Sequence, residues 1–388
     1  MSENVMEQAL VPLGRSNNHL RALDDVRDQV DSDSVGKWDA RVLRDHLSFC
    51  NGQLTFSSPG KGSAALTPTN WATGQLCARL GIPAPYFRRC PHDLQDVQAN
   101  YWLSNGKEAD SEKWLVRAKD DQLRAVLSSR YSPLDNDELL RALSPMMDAR
   151  LRVDWLDLSD EGLHLRIVDP QKTQDVLPGD GLSIGIHIAN SEVGGRSLSV
   201  DALVYRLVCT NGLIRLVKGK SLLRQRHIHI ARPRLVAALE EAVDQAWNEA
   251  SGFLEQMRQT TQMPVPDVEE TIERIGERWH LSQSVQEGIL GDLRREPVRV
   301  QETVYGVVNA LTSAAQRLPA EGRYDLEVLA GHLAEHGVAA YAPKRHQEPR
   351  ENRSNGDEPF DVVETAREML DAQIMSRRQI LHREVNGR

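Results

Sequence analysis

Between Leu151 and Ile230 the chain alternates apolar and polar residues in one short run after another. Leu163, Leu165 and Ile167 alternate with His164, Arg166 and Val168, and Ile184, Ile186 and Ile188 alternate with Gly185, His187 and Ala189. A period of two sends the two sets to opposite faces of a sheet. The pattern predicts strands over 151–157, 163–169, 182–190, 197–209 and 224–230. After Pro233 the period changes. Leu235, Val236, Leu239, Val243, Trp247 and Leu254 recur at helical spacing, which predicts a long helix over 234–257. Further helices are expected near 268–278, 282–294, 303–316 and 325–336. The fold class is therefore α+β: a mostly antiparallel β-sheet core with flanking helices, then a C-terminal helical region.

Upstream of the strands, Trp114–Ala118 and Leu123–Leu127 flank Lys119-Asp120-Asp121 and predict a hairpin. Val42, Leu43, His46, Leu47 and Cys50 fall at helical spacing. Helices are expected over 67–80, 85–90, 91–103 and 135–147, the last capped by Asp135 and Asn136. The expected organisation is a mobile arm over 1–33, with one helix near 18–30, and an α+β core domain over 34–258. A helical subdomain over 259–342, a disordered linker over 343–359 and an amphipathic helix over 360–388 follow. No stretch reaches the ~20 apolar residues of a membrane span, and Met1–Leu20 lacks a basic segment followed by an apolar one, so a cytoplasmic protein is expected. Cys50, Cys77, Cys90 and Cys209 form no CxxC and read as free thiols.

The chain carries a net charge of -9, yet Ala202–Leu239 contains no Asp or Glu. That run holds Arg206, Arg215, Lys218, Lys220, Arg224, Arg226, Arg232 and Arg234, with His227 and His229 among them. A cationic stretch on an acidic protein serves a polyanion, an acidic partner protein or an internal ion-pair seam. Arg206 falls on a core strand, and Arg232 and Arg234 at a helix start. Arg215, Lys218, Lys220, Arg224 and Arg226 fall on a turn and an edge strand, where they are best placed to meet phosphates, with His227 and His229 as lesser candidates. Period two places Arg224, Arg226, Ile228 and Ile230 on one face of that strand. Asn211-Gly212 reads as the tight reversal that aims the basic turn.

Other constellations have plainer readings beside the functional one. Gln75–Cys90 has the rhythm of a helix-turn-helix with Arg88 and Arg89 at its end, or of an ordinary helical hairpin. His46, Cys50, Cys90 and His92 offer zinc-ligand types at spacings unlike a common finger, and Cys50 reads as a buried thiol on its helix. Asp154, Asp157, Asp169, Asp180 and Asp201 could serve a divalent-metal nuclease if they converged, although Asp at strand ends commonly serves turns. Ser191–Gly195 is a glycine turn without the Lys-Ser/Thr of a phosphate loop. No catalytic residue, metal or cofactor is assigned.

Asn190-Ser191-Glu192-Val193-Gly194 and Arg206–Ile214 resemble the signature of the phage/plasmid-like protein family built on domain of unknown function 932. Arg124–Asn136 and Val308–Thr312 resemble its other recurrent segments, and the resemblance spans about residues 38–340. It implies a gene carried on prophages, plasmids and other mobile elements, often near replication or recombination functions, and brings no catalytic or binding residue with it. A β-rich core followed by a long helix and a basic groove also resembles, in layout alone, the phage annealases that form rings on single-stranded DNA. The expected function is non-enzymatic binding of single-stranded nucleic acid, with strand annealing or recombination as its use and a homo-oligomer as its state. The alternatives are an interaction protein gripping a host or element-encoded partner, and a metal-dependent nuclease.

Overall fold

The structure is a computed structural model that describes residues 20–58, 62–105, 113–207, 211–216 and 220–341. Its strands divide between two sheets, mostly antiparallel, and a helical region follows them. The first sheet has the order β1-β5-β6-β4-β3-β2 and comprises β1 (Lys37–Leu43), β2 (Ser48–Cys50), β3 (Gln53–Ser58), β4 (Gly62–Pro68), β5 (Lys113–Lys119) and β6 (Gln122–Ser128). Only the short β4–β6 pairing is parallel among its ladders. The predicted hairpin is β5–β6, turning at Asp120, whose φ of 52° is tolerated in such a turn. Helix α2 (Asn70–Leu80) is capped by Thr69 and buries Ala72, Leu76 and Cys77 on this sheet's core; α3 (Ala84–Phe87) and α4 (His92–Asn105) follow.

One expectation fails here. Residues 42–50 form no α-helix: they are β1, a single 3₁₀ turn and β2. Trp38, Ala40 and Val42 alternate into the core at period two, and β1 pairs along its whole length with β5, far away in sequence. That tertiary pairing overrides a local spacing that resembled a helix. Cys50 is accordingly exposed on a strand, not buried on a helix.

The second sheet has the order β11-β10-β9-β8-β7, with β12 also paired to β10. It comprises β7 (Arg152–Leu158), β8 (Leu163–Leu177), β9 (Asp180–Asn190), β10 (Leu198–Arg206), β11 (Asn211–Arg215) and β12 (Leu223–Gln225). Its apolar face, with Leu163, Leu165, Ile167, Ile184, Ile186 and Ile188, packs on the long helix α6 (Arg232–Thr260). Helix α5 (Asn136–Leu143) and α1 (Leu23–Ser34) close one end of that core. Val26 and Val30 of α1 are buried there, and Arg21 and Val153 exchange backbone hydrogen bonds of 3.0 and 2.8 Å. The arm expected over 1–33 is thus anchored from Arg21 onward. Residues 1–19, the linker over 343–359 and the helix over 360–388 lie outside the described residues.

The other end of the sheet packs on α7 (Val268–Trp279), α8 (Gln283–Leu293), α9 (Val298–Gln301), α10 (Val304–Ala315) and α11 (Ala320–His336). The second face of the sheet, the one bearing His164, Arg166 and His187, is also buried, because α11 brings Tyr324 and Val328 over it. Gly331 permits the approach: a Cβ there would sit 2.0 Å from the backbone oxygen of Ile214. Gly331→Ala is expected to push α11 away from β11 and lower the unfolding free energy by about 1–3 kcal/mol. A urea midpoint unchanged from wild type would contradict that close packing.

Candidate nucleic-acid interface

The acid-free run splits into cations used internally and cations left at the surface. Arg206 on β10 meets Asp180 and Glu296, each at 2.7 Å, beside the ring of Tyr305. Arg215 on β11 meets Glu249 at 2.9 Å and Glu335 at 3.5 Å and lies over Phe253. Arg232, opening α6, meets Glu138 at 2.5 Å. Arg215, expected at the phosphate, is therefore part of the ion-pair seam that ties β11 to α6 and α11.

Lys218 lies outside the described residues. Lys220, Arg224, Arg226 and His229 are exposed, and among the described residues neither Lys220 nor Arg226 forms an ion pair. The expected strand over 224–230 ends at Gln225. Beyond it the backbone is irregular, with His229 at φ 51°, so the predicted two-face alternation does not persist. His227 is buried and stacks on Tyr131 at 5.2 Å, nearly parallel. Burial pushes its imidazole down to about 4, so it is neutral and out of reach of phosphate.

Asn211 and Gly212 are not the reversal either. They open β11, opposite Arg206 and Tyr205. Gly212 is needed for close approach: a Cβ there would lie 2.6 Å from Nη1 of the buried Arg166.

An isolated antiparallel bridge joins Ile228 to Tyr131, and the Ser132 N–H donates to the His227 carbonyl at 3.0 Å. This register sets Arg130, also exposed, opposite His229. Arg226 and His229 border the exposed Ile228 in sequence, Arg130 lies across the bridge from His229, and with the exposed Lys220 and Arg224 earlier in the same segment they make up a basic lip. Arg130 lies in a segment quoted only for its family resemblance. Its partner in space is about a hundred residues away, and only the chain's Ser-Ser-Arg-Tyr turn hinted that it would be exposed.

Two of the segments that carry the family resemblance, 124–136 and 190–194, meet next to the Tyr131 bridge. Glu192, in the turn after β9, is buried and accepts from Arg124 at 2.5 Å, Lys37 at 2.9 Å and the Asn136 N–H at 2.8 Å. Burial raises its carboxyl, but Arg124 and Lys37 outweigh that and hold it below the ordinary glutamate value. Arg117 donates to the Glu192 carbonyl at 2.7 Å and pairs with Asp39 and Asp135. Asn190 donates to the Leu134 carbonyl and to Asn136, and Tyr131 donates to the Ser191 carbonyl. Trp71 and Gln75 both donate to the Val193 carbonyl. The turn thus presents carbonyls to the first sheet, not a cradle of N–H groups for a phosphate. Segment 308–312 lies within α10 and is buried throughout.

A second charged network lies under α11. Trp155, Arg166, His187 and Asp201 form one rung across β7, β8, β9 and β10. Arg166 pairs with Glu327, both fully buried, and Arg166 and Arg323 lie over the Trp155 ring at 4.7 and 4.2 Å. His164 contacts His187 at 3.1 Å, Arg196 meets Glu321 at 2.9 Å, and Tyr324 donates to Asp201 at 3.1 Å. Burial first, then Arg196, pushes His164 down to about 4. Burial and the neighbouring cations push His187 well below its ordinary value.

The aspartates weighed for nuclease chemistry disperse. Asp180 serves Arg206, Asp169 serves Arg150, Asp201 accepts from Tyr324 and Asp154 lies beside Tyr205. Among the described residues, no group of three or more His, Cys, Asp or Glu is placed to hold a metal ion. The helix-turn-helix candidate resolves into α2, bound into the first sheet's core, and the four-residue α3, too short to read a groove.

Residues 124–354 match the sequence profile described as Domain of unknown function (DUF932). The match covers more than half of the chain, which therefore belongs to that family. It begins at Arg124, within β6, so most of the first sheet precedes it. No curated protein and no solved structure matches the chain.

Glu192→Ala strands Arg124 in the interior and leaves Lys37 only Asp33, and is expected to cost about 3–5 kcal/mol, read from denaturant unfolding. The histidines give a pH signature. Their folded pKa values lie below the unfolded 6.5, so the unfolded chain takes up protons first. Stability is then full above about pH 6.5 and declines as pH falls toward 4. Unfolding free energy that stays constant from pH 7 to 5 would contradict buried neutral imidazoles.

Proposed function

We propose that the chain is a non-enzymatic single-stranded nucleic-acid-binding protein of a mobile element, used in strand annealing or recombination. Phosphates are held at the basic lip. The observation that carries this reading is the partition of the acid-free run. Carboxylates neutralise Arg206, Arg215 and Arg232, whereas Lys220 and Arg226 form no ion pair among the described residues and are exposed, as are Arg224, His229 and Arg130. Long cations at an exposed edge can follow a phosphate backbone without reading bases. The backbone past Gln225 is irregular, and Ile228 offers an apolar contact among the cations. Both features suit a flexible strand with accessible bases better than a broad duplex surface. The net charge of -9 opposes indiscriminate coating of duplex.

The test is fluorescence anisotropy of labelled single strands and duplexes across a salt series. Single-strand affinity is expected to fall linearly on a log–log plot. Arg224→Ala with Arg226→Ala is expected to lower the slope by about 1.4, near 0.7 for each phosphate left without its cation. Arg215→Ala, which removes a cation of the internal seam, is expected to leave the slope unchanged. Wild-type indifference to both ligands at low salt would refute the proposal.

A further inference from the structure

Helix α4 packs on the first sheet through Ala99 and Leu103, and its opposite face is exposed although it is apolar. Leu94, Val97 and Tyr101 recur at spacings of three and four along that face, with Trp102 at its border. Val97 is 67% and Tyr101 57% exposed; Tyr86 of α3, Leu94 and Trp102 are each about 40% exposed. The rings are held in place. Gln98 donates to the Tyr86 hydroxyl at 2.9 Å, and Tyr101 meets Trp102 edge-on at 5.1 Å. Asp96 is turned away to accept from the Asn51 and Gly52 N–H groups at 2.7 and 3.2 Å, and the exposed Asp93, one turn before Val97, borders the stripe at its N-terminal end.

We propose that this α4 face is a self-association surface, on which a second copy of the chain packs α4 against α4 about a two-fold axis. Three observations select this occupant. An isologous contact sets the same patch against itself, residue i on j and j on i, and in an antiparallel pairing centred on Val97 the terminal Asp93 of each copy stays apart from the other, so the stripe can meet itself without like-charge repulsion. Exposed Tyr and Trp on a rigid helix are the side chains that dominate interface energetics. The stripe exposes roughly 500 Å² per copy, so a two-fold contact would remove on the order of 1,000 Å² from water, the lower bound for a specific interface. An acidic protein partner would find no complementary charge on the stripe, and a basic one only the single Asp93 at its end.

The inference is independent of nucleic-acid binding, and its test is made without nucleic acid. Sedimentation velocity of the full chain at micromolar concentration is expected to give a dimer. Val97→Glu, and separately Tyr101→Lys, each place a charge at a position too exposed for the fold to depend on. Each is expected to raise the dimer dissociation constant more than about tenfold, with the circular dichroism spectrum retained. A monomeric wild type overturns the proposal, as does a dimer whose mass survives both substitutions. Loss of single-strand binding with unchanged mass would also overturn it, assigning the stripe to base stacking instead.

Discussion

Arg166 and Glu327 form an ion pair from which water is fully excluded. Removing either partner would strand a charge in the interior, so β8 and α11 are held to each other by the cost of separation. Around that pair the neighbours follow. The guanidiniums of Arg166 and Arg323 both lie over the Trp155 ring, and Arg323 also reaches Glu327 at 3.1 Å. Gly212 and Gly331 lack the side-chain atoms that would collide with Arg166 and with β11. His164 and His187 stay neutral because adding charge beside buried guanidiniums is unfavourable. A sheet that could have faced solvent on one side is instead buried on both.

The same logic assigns the family segments to architecture. Arg124, Glu192 and Asn136 bind the two sheets together, and Arg166 and Glu327 bind the second sheet to the C-terminal helices. All of these residues fall within the matched span. Their charged groups are paired with one another in the interior. The surface between these two networks, where 220–230 passes Tyr131, is where cations stay exposed.

Much of the fold was legible because its signals are local. Period two marked β7 to β10, and period 3.6 marked α6, α7, α8 and α10. What failed depended on distant partners. The pairing of β1 with β5 and the early end of β12 leave little trace in neighbouring residues. The polar face of β8 and β9 reads like a solvated face until α11, some 150 residues later, supplies Glu321, Tyr324 and Glu327. The basic run was legible as charge but not as geometry. Its acidic partners Asp180, Glu249, Glu296 and Glu335 all lie outside it, and only the fold decides which cation each one reaches.

An exposed basic lip on an acidic chain acts over a short range. At physiological ionic strength the screening length is about 8 Å, so a phosphate at the lip interacts with the cations there while distant carboxylates are largely screened. One lip of a few cations gives weak binding by itself. Two lips carried on a two-fold pair would engage one strand at once, and the second contact would form at a high effective concentration without any new kind of interaction. On the proposed reading, self-association through the apolar α4 face, with the cations kept elsewhere, would let an acidic protein gain avidity for a polyanion while its net charge still disfavours indiscriminate coating of nucleic acid.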